Sequence, residues 1–158
     1  MRKRFAKILH NHMKKNNKIF LLCGGVGYGV LDRILHDFPK RALNFEASEQ
    51  TMINAAVGLA LSGKIPFCYA ITPHLYYAFS SIRNYLNHEK IPVKLVGIGR
   101  DRDYGNLGFT HWAEDVRKVF DIFPNIIQYY PDIKEEMPNI VEELIGNNKP
   151  CFLNLNRT

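Results

Sequence analysis

One carboxylate carries the clearest chemical signal in this sequence. Glu49 stands in Asn44-Phe45-Glu46-Ala47-Ser48-Glu49-Gln50-Thr51-Met52, ahead of the small-residue run Ile53-Asn54-Ala55-Ala56-Val57-Gly58-Leu59-Ala60-Leu61 and the stop Ser62-Gly63. Ser48 is a good N-cap, and Ala55, Ala56, Gly58 and Ala60 let neighbours approach closely, so the pattern predicts a tightly packed helix with Glu49 in its first turn. The helix dipole favours negative charge there, which makes Glu49 an ionised acceptor held at a defined place. On spacing alone, a plain surface carboxylate at a helix start is the commoner explanation.

Other side chains add possibilities around it. His111, in Gly108-Phe109-Thr110-His111-Trp112-Ala113-Glu114-Asp115, offers an imidazole that can hydrogen-bond a carbonyl or hydroxyl, or one that is simply solvated in a loop. Thr110 can cap the following helix, and Asp115 suits a first-turn carboxylate. Arg83, Arg100 and Arg102 are candidates for a substrate phosphate. Tyr76, Phe79 and Ile82 lie three apart on one helical face, as core residues or as the wall of a slot for a flat ring. The glycine loop Gly24-Gly25-Val26-Gly27-Tyr28-Gly29 resembles a phosphate cradle, but its offsets do not fit G-x-G-x-x-G and no acidic residue ends a second strand, so a tight strand-to-helix turn is expected. No Cys or His pair has metal-ligand spacing, and no metal ligand is assigned.

These groups must be positioned by alternating strands and helices. Phe5, Ile8, Leu9 and Met13 recur at helical spacing and predict an amphipathic first helix ending near Asn16. Continuous apolar runs at 19–23, 65–71, 93–99 and 150–155 read as buried parallel strands. A short helix follows around Leu31 to Leu35, Thr72-Pro73 opens another, and Val116, Val119 and Phe120 mark a third. An acidic helix is expected over about 134–145, and the polar segment 100–109 reads as an exposed, mobile loop. The pattern predicts one α/β domain over 1–158, a three-layer fold with a mostly parallel sheet of five or six strands and helices on both faces.

Composition narrows the class further. With 46% hydrophobic and 12% aromatic residues among 158, the chain can bury a sizeable core and is not disordered. Its apolar runs are too short to span a bilayer and nothing resembles a signal peptide, so no membrane and a cytoplasmic location are expected. The three cysteines each sit in a strand-like run and read as reduced core residues. Much of the +6 net charge comes from Arg2, Lys3, Arg4, Lys7, Lys14, Lys15 and Lys18. That cluster suggests a solvated helix face or a surface for an acidic partner; without an aromatic-basic module it does not favour nucleic acid.

The segment N-x-x-x-S-E-Q-x-M, continuing as A-A-x-G-L-A-L-x-G-K-I-P-F, resembles the pyrimidine-binding domain of transketolase and its thiamine diphosphate-dependent relatives. Gly108-Phe109-Thr110-His111 to Asp115, Phe123-Pro124-Asn125 and Pro131-Asp132 extend the resemblance over roughly residues 19 to 133. It implies a thiamine diphosphate-binding fold in which Glu49 is catalytic, hydrogen-bonding the aminopyrimidine ring of the cofactor, while Tyr76 and Phe79 hold that ring. His111 would be catalytic at the substrate channel, with Arg100 and Arg102 as further substrate contacts. Pro73 stands where many relatives have Phe, Gly25 where an acidic residue is frequent, and Glu46 where a Gly is frequent. The family's Gly-Asp-Gly motif for diphosphate and metal does not occur here, so the resemblance implies a single pyrimidine-binding domain without the diphosphate-binding domain or the third transketolase domain. Implied with it are a separate diphosphate-binding subunit that holds Mg2+ or a similar ion, a homo- or hetero-oligomer, and a transferase acting on sugar or sugar phosphate. A thiamine diphosphate-dependent 2-oxo acid decarboxylase subunit and a non-catalytic interaction or regulatory protein stay open as alternatives.

Overall fold

A computed structural model describes residues 1–157. Six strands form one wholly parallel sheet: β1 (Ile19–Cys23), β2 (Ala42–Asn44), β3 (Ile65–Ile71), β4 (Lys94–Ile98), β5 (Ile127–Tyr129) and β6 (Cys151–Leu155), in the order β2-β1-β3-β4-β6-β5. The central strands are buried on both faces, which is why their sequences read as unbroken apolar runs.

Alternation along each strand divides the core in two. On one face Leu21, Phe67, Tyr69, Val96 and Leu153 pack against helices α1 (Arg2–Lys15), α2 (Asp32–Asp37) and, by chain order the last helix, α6 (Met137–Gly146). On the other, Leu22, Cys68, Ala70, Leu95 and Phe152 meet α3 (Glu49–Leu61), the helical segment 72–88 that includes the short α4 (Phe79–Ser81), and α5 (Val116–Asp121). The result is the expected three-layer α/β arrangement. Helix α1 buries Phe5, Leu9 and Met13, while Lys3, Arg4, Lys7, Lys14 and Lys15 face solvent. Arg2 departs from that face by donating from Nε to the carbonyl of Arg157 at 2.8 Å. Among the described residues no helix is long and apolar enough to cross a membrane.

Several local expectations change. Ser48 occupies the N-cap of α3, but its side chain makes no capping hydrogen bond. Ala56 and Ala60 face the core, whereas Gly58 is exposed with open space where a Cβ would stand, so close packing does not require that glycine. Thr110 does not cap α5, which begins six residues later; its hydroxyl instead shares a hydrogen bond with His111 Nδ1 at 2.9 Å. The segment 100–109 is not uniformly exposed, because Arg100 and Tyr104 are buried.

Cys23, Cys68 and Cys151 are free and buried. Burial, with a smaller contribution from Glu46, pushes the Cys23 thiol up to about 11; burial also raises Cys68 and Cys151. Since the thiolate is the nucleophile, none of the three is expected to react with Ellman's reagent at pH 8 in the folded chain, and all three react once it is denatured. A thiol that reacts stoichiometrically in the native protein would contradict this packing.

Candidate active site

The carboxyl ends of β1 and β3 lie side by side where the chain reverses its direction of strand addition, the usual position for ligand crevices in open parallel sheets. Three segments converge there. The glycine loop leaves β1, and the Gly24 N–H donates to the Tyr69 carbonyl on β3 at 3.0 Å. Asn44, at the end of β2, ties that loop to the next: its Oδ1 accepts N–H bonds from Gly25 at 3.0 Å and Glu46 at 3.1 Å. Helix α3 then begins with Glu49.

Glu49 is 5% exposed. A Cβ added to Gly24 would stand 3.4 Å from Glu49 Oε1, so the glycine loop packs directly on the carboxylate. The loop is therefore both the expected tight turn and part of the site wall. The carboxylate opens onto a cleft lined by Ala47, Ser48, Glu49, Gln50, Thr51, His74 and Tyr77. Its ionisable neighbour is His74, with Nδ1 3.5 Å from Oε1. Burial holds the His74 imidazole below its ordinary pKa; the Glu49 charge opposes this and the nearby His111 reinforces it. His74 is accordingly neutral at physiological pH.

His111 is brought to the same place from a different part of the sheet. Its ring lies 5.0 Å from that of His74, edge-on, and 5.7 Å from that of Tyr104. Glu49, His74 and His111 thus form one continuous group, assembled from α3, the segment after β3 and the loop after β4.

Tyr76 and Phe79 occupy an adjoining edge. Residues Thr72–Ala78 form a 3₁₀ helix, and with three residues per turn positions i and i+3 eclipse. His74 and Tyr77 therefore share the line that faces the Glu49 cleft, while Tyr76 and Phe79 share another, outside the residues lining it. The Tyr76 hydroxyl donates to Asp115 Oδ1 at 3.2 Å, and the Phe79 ring packs on Phe123 at 5.3 Å. Asp115 precedes α5 and serves as this acceptor rather than as a capping side chain.

The arginines have other tasks. The Arg100 guanidinium donates to Asn154 Oδ1, the Asn154 and Pro131 carbonyls and Asp132 Oδ1, at 2.8–3.2 Å. It is committed inside the fold and is not free for a substrate phosphate. Arg102 pairs with Glu114 at 2.9 Å and stacks over Trp112, on the exposed side of the loop. Arg83 is exposed and bonds its neighbour Asn84. His74 and Tyr77 are the site residues that sequence reading missed. The available signal was the pair of aromatic or imidazole groups at i and i+3 directly after a buried strand.

Comparison with known proteins identifies the family and the fold. The profile of the family described as "Transketolase, pyrimidine binding domain" matches residues 1–158. Similar sequences include a subunit of the apulose-4-phosphate transketolase of Actinobacillus succinogenes, 30% identical over 77% of this chain and 39% of that protein. The putative transketolase C-terminal section of Methanocaldococcus jannaschii is 27% identical over 99% and 50%. A third, the 6-deoxy-6-sulfo-D-fructose transketolase subunit SqwH of a Clostridium species, is 24% identical over 99% and 49%. The chain thus spans half or less of the length of these relatives. Among solved structures, a split gene transketolase described as an inactive beta4 tetramer superposes with a TM-score of 0.86 at 24% identity, over 99% of this chain and 51% of that one. Campylobacter jejuni transketolase gives 0.90 at 18% identity, over 99% and 25%. These superpositions establish the fold.

Proposed function

The chain belongs to the transketolase pyrimidine-binding domain family, and from that premise we propose that it is the pyrimidine-binding part of a thiamine diphosphate-dependent, transketolase-like transferase completed by a second polypeptide. The observation that carries this reading is Glu49: a carboxylate 5% exposed, at the first turn of α3, with one oxygen against Gly24 and His74 and a cleft before it. A buried carboxylate with few protein donors suits a ligand that brings its own. The donor set fits the aminopyrimidine end of the cofactor, with Glu49 as acceptor and Tyr76 and Phe79 as the aromatic wall on the adjoining edge.

Bound thiamine diphosphate supplies the electron sink for breaking a carbon–carbon bond beside a carbonyl. The protein's share is a placed acceptor and a dry slot. Glu49 would present a negative charge to the ring, and His74 lines the cleft before it with the His111 ring 5.0 Å away, where His111 can hydrogen-bond a substrate carbonyl or hydroxyl. The substrate class proposed is a sugar or sugar phosphate, supported by the relatives named for apulose 4-phosphate and 6-deoxy-6-sulfo-D-fructose. The second polypeptide would hold the diphosphate and its divalent ion, and the two would form a hetero-oligomer within the cytoplasm.

Reconstitution tests this directly. The chain is purified alone and together with a Gly-Asp-Gly-containing polypeptide from the same genome, and ketol transfer between sugar phosphates is assayed with thiamine diphosphate and Mg2+. Turnover is expected only from the mixture and only with the cofactor. Turnover by this chain alone would remove the two-polypeptide reading, and a mixture that neither binds nor uses thiamine diphosphate would remove the cofactor assignment.

A further inference from the structure

The activity proposed above gives His74 no task, yet it is the ionisable neighbour of the buried carboxylate. Its side chain is 24% exposed and that of Glu49 5%, with Nδ1 3.5 Å from Oε1. That separation is slightly longer than a good hydrogen bond, and such contacts commonly tighten when a ligand fills the site. We propose that His74 is a positioning residue for Glu49, donating Nδ1–H to Oε1 so that the carboxylate is held facing the cleft with its other oxygen left for the ligand. This rests on the reading of Glu49 as the cofactor acceptor.

The geometry gives His74 this task for three reasons. The first is backbone placement: the 3₁₀ turn after β3 puts residue 74, rather than 73 or 76, on the line facing α3. The second is the scarcity of alternatives. The glycine loop meets Oε1 at Gly24, which has no side chain to offer. The third is protonation. Groups facing His74 are Glu49 from α3, His111 from the loop after β4 and Tyr77 from its own helix. Burial and the neighbouring imidazole keep His74 neutral, so it donates one hydrogen without cancelling the carboxylate's charge, as a cationic side chain would.

Two arms test the proposal. In the first, the imidazole nitrogens of the chain are followed by NMR through a pH titration. His74 is expected as the Nδ1–H tautomer. Glu49→Gln moves its titration to lower pH, because the favourable charge is gone, and His111→Gln moves it to higher pH. An Nε2–H tautomer, or a midpoint that Glu49→Gln leaves unchanged, would overturn the pairing.

In the second arm, kcat is measured in the reconstituted enzyme. His74→Leu removes the donor and is expected to lower kcat by roughly tenfold or more, the scale of a lost hydrogen bond to a charged group. His74→Asn places an amide N–H near the position of Nδ1 and restores most of that loss. A His74→Leu enzyme at full rate, or a His74→Asn enzyme as slow as His74→Leu, would overturn the positioning role. If the wild-type mixture shows no turnover with thiamine diphosphate, the transferase reading fails, and the titration arm still decides whether His74 and Glu49 are paired.

Discussion

In the reconstituted enzyme, Glu49→Gln lowers turnover by at least about two orders of magnitude while the melting temperature stays within about two degrees of wild type. Gln keeps the size and one acceptor oxygen of Glu, so the packing against Gly24 and His74 survives. What is lost is the negative charge. A carboxylate that only complemented the helix dipole would contribute about 0.3 to 1 kcal/mol to stability and nothing to rate. A group that takes part in proton sharing carries on the order of a hundredfold or more. Steady-state kinetics together with a thermal melt separate these cases, and near-normal turnover would show that Glu49 is a helix-start residue alone.

The second large effect is on stability, at the turn that follows β4. Gly99 follows β4 with φ +87°, and a Cβ there would lie 2.4 Å from Tyr104 Cε2 and 2.7 Å from its Cδ2. Gly99→Ala therefore combines a left-handed backbone, about 1–2 kcal/mol for an L residue, with overpacking of typically 1–3 kcal/mol. A chain of this size loses about 2–4 °C per kcal/mol, so the melting temperature is expected to fall by roughly 4–20 °C. Tyr104 is buried and packs against His111. Any accommodation of the new methyl must move that ring, so loss of His111 order by NMR should accompany the melt. A Gly99→Ala chain as stable as wild type would mean that the turn after β4 relaxes without strain.

The Gly99 turn belongs to a buried polar layer beneath the site. Asn154 Nδ2 donates to the Gly97 and Gly99 carbonyls and to Thr72 Oγ1, and the Thr72 hydroxyl donates to the Gly99 carbonyl at 2.7 Å. With Arg100 bonded to both Asn154 and Pro131, this layer joins the ends of β3, β4 and β6. It fixes where the segments carrying His74 and His111 leave the sheet. Such satisfied buried networks are rigid, and they place side chains more accurately than a loop alone could.

The sequence by itself determined the elements whose periodicity is imposed by burial. Runs such as Ile19–Cys23 and Ile65–Ile71 read as parallel strands covered on both faces, because they are short, continuously apolar and bounded by turn signals. Glu49 at a helix start, Cys23, Cys68 and Cys151 in the core and the basic outer face of α1 follow from the same local logic. Only the tertiary structure decided which groups meet. Arg100 looks like a free cation in sequence, but its partners lie 31 to 54 residues away, and no local pattern encodes them. Nor does any local pattern show that the residues after β3, packed against α3 and β4, wind as a 3₁₀ helix. Three residues per turn instead of 3.6 carries His74 and Tyr77 to the cleft and turns Tyr76 toward Asp115.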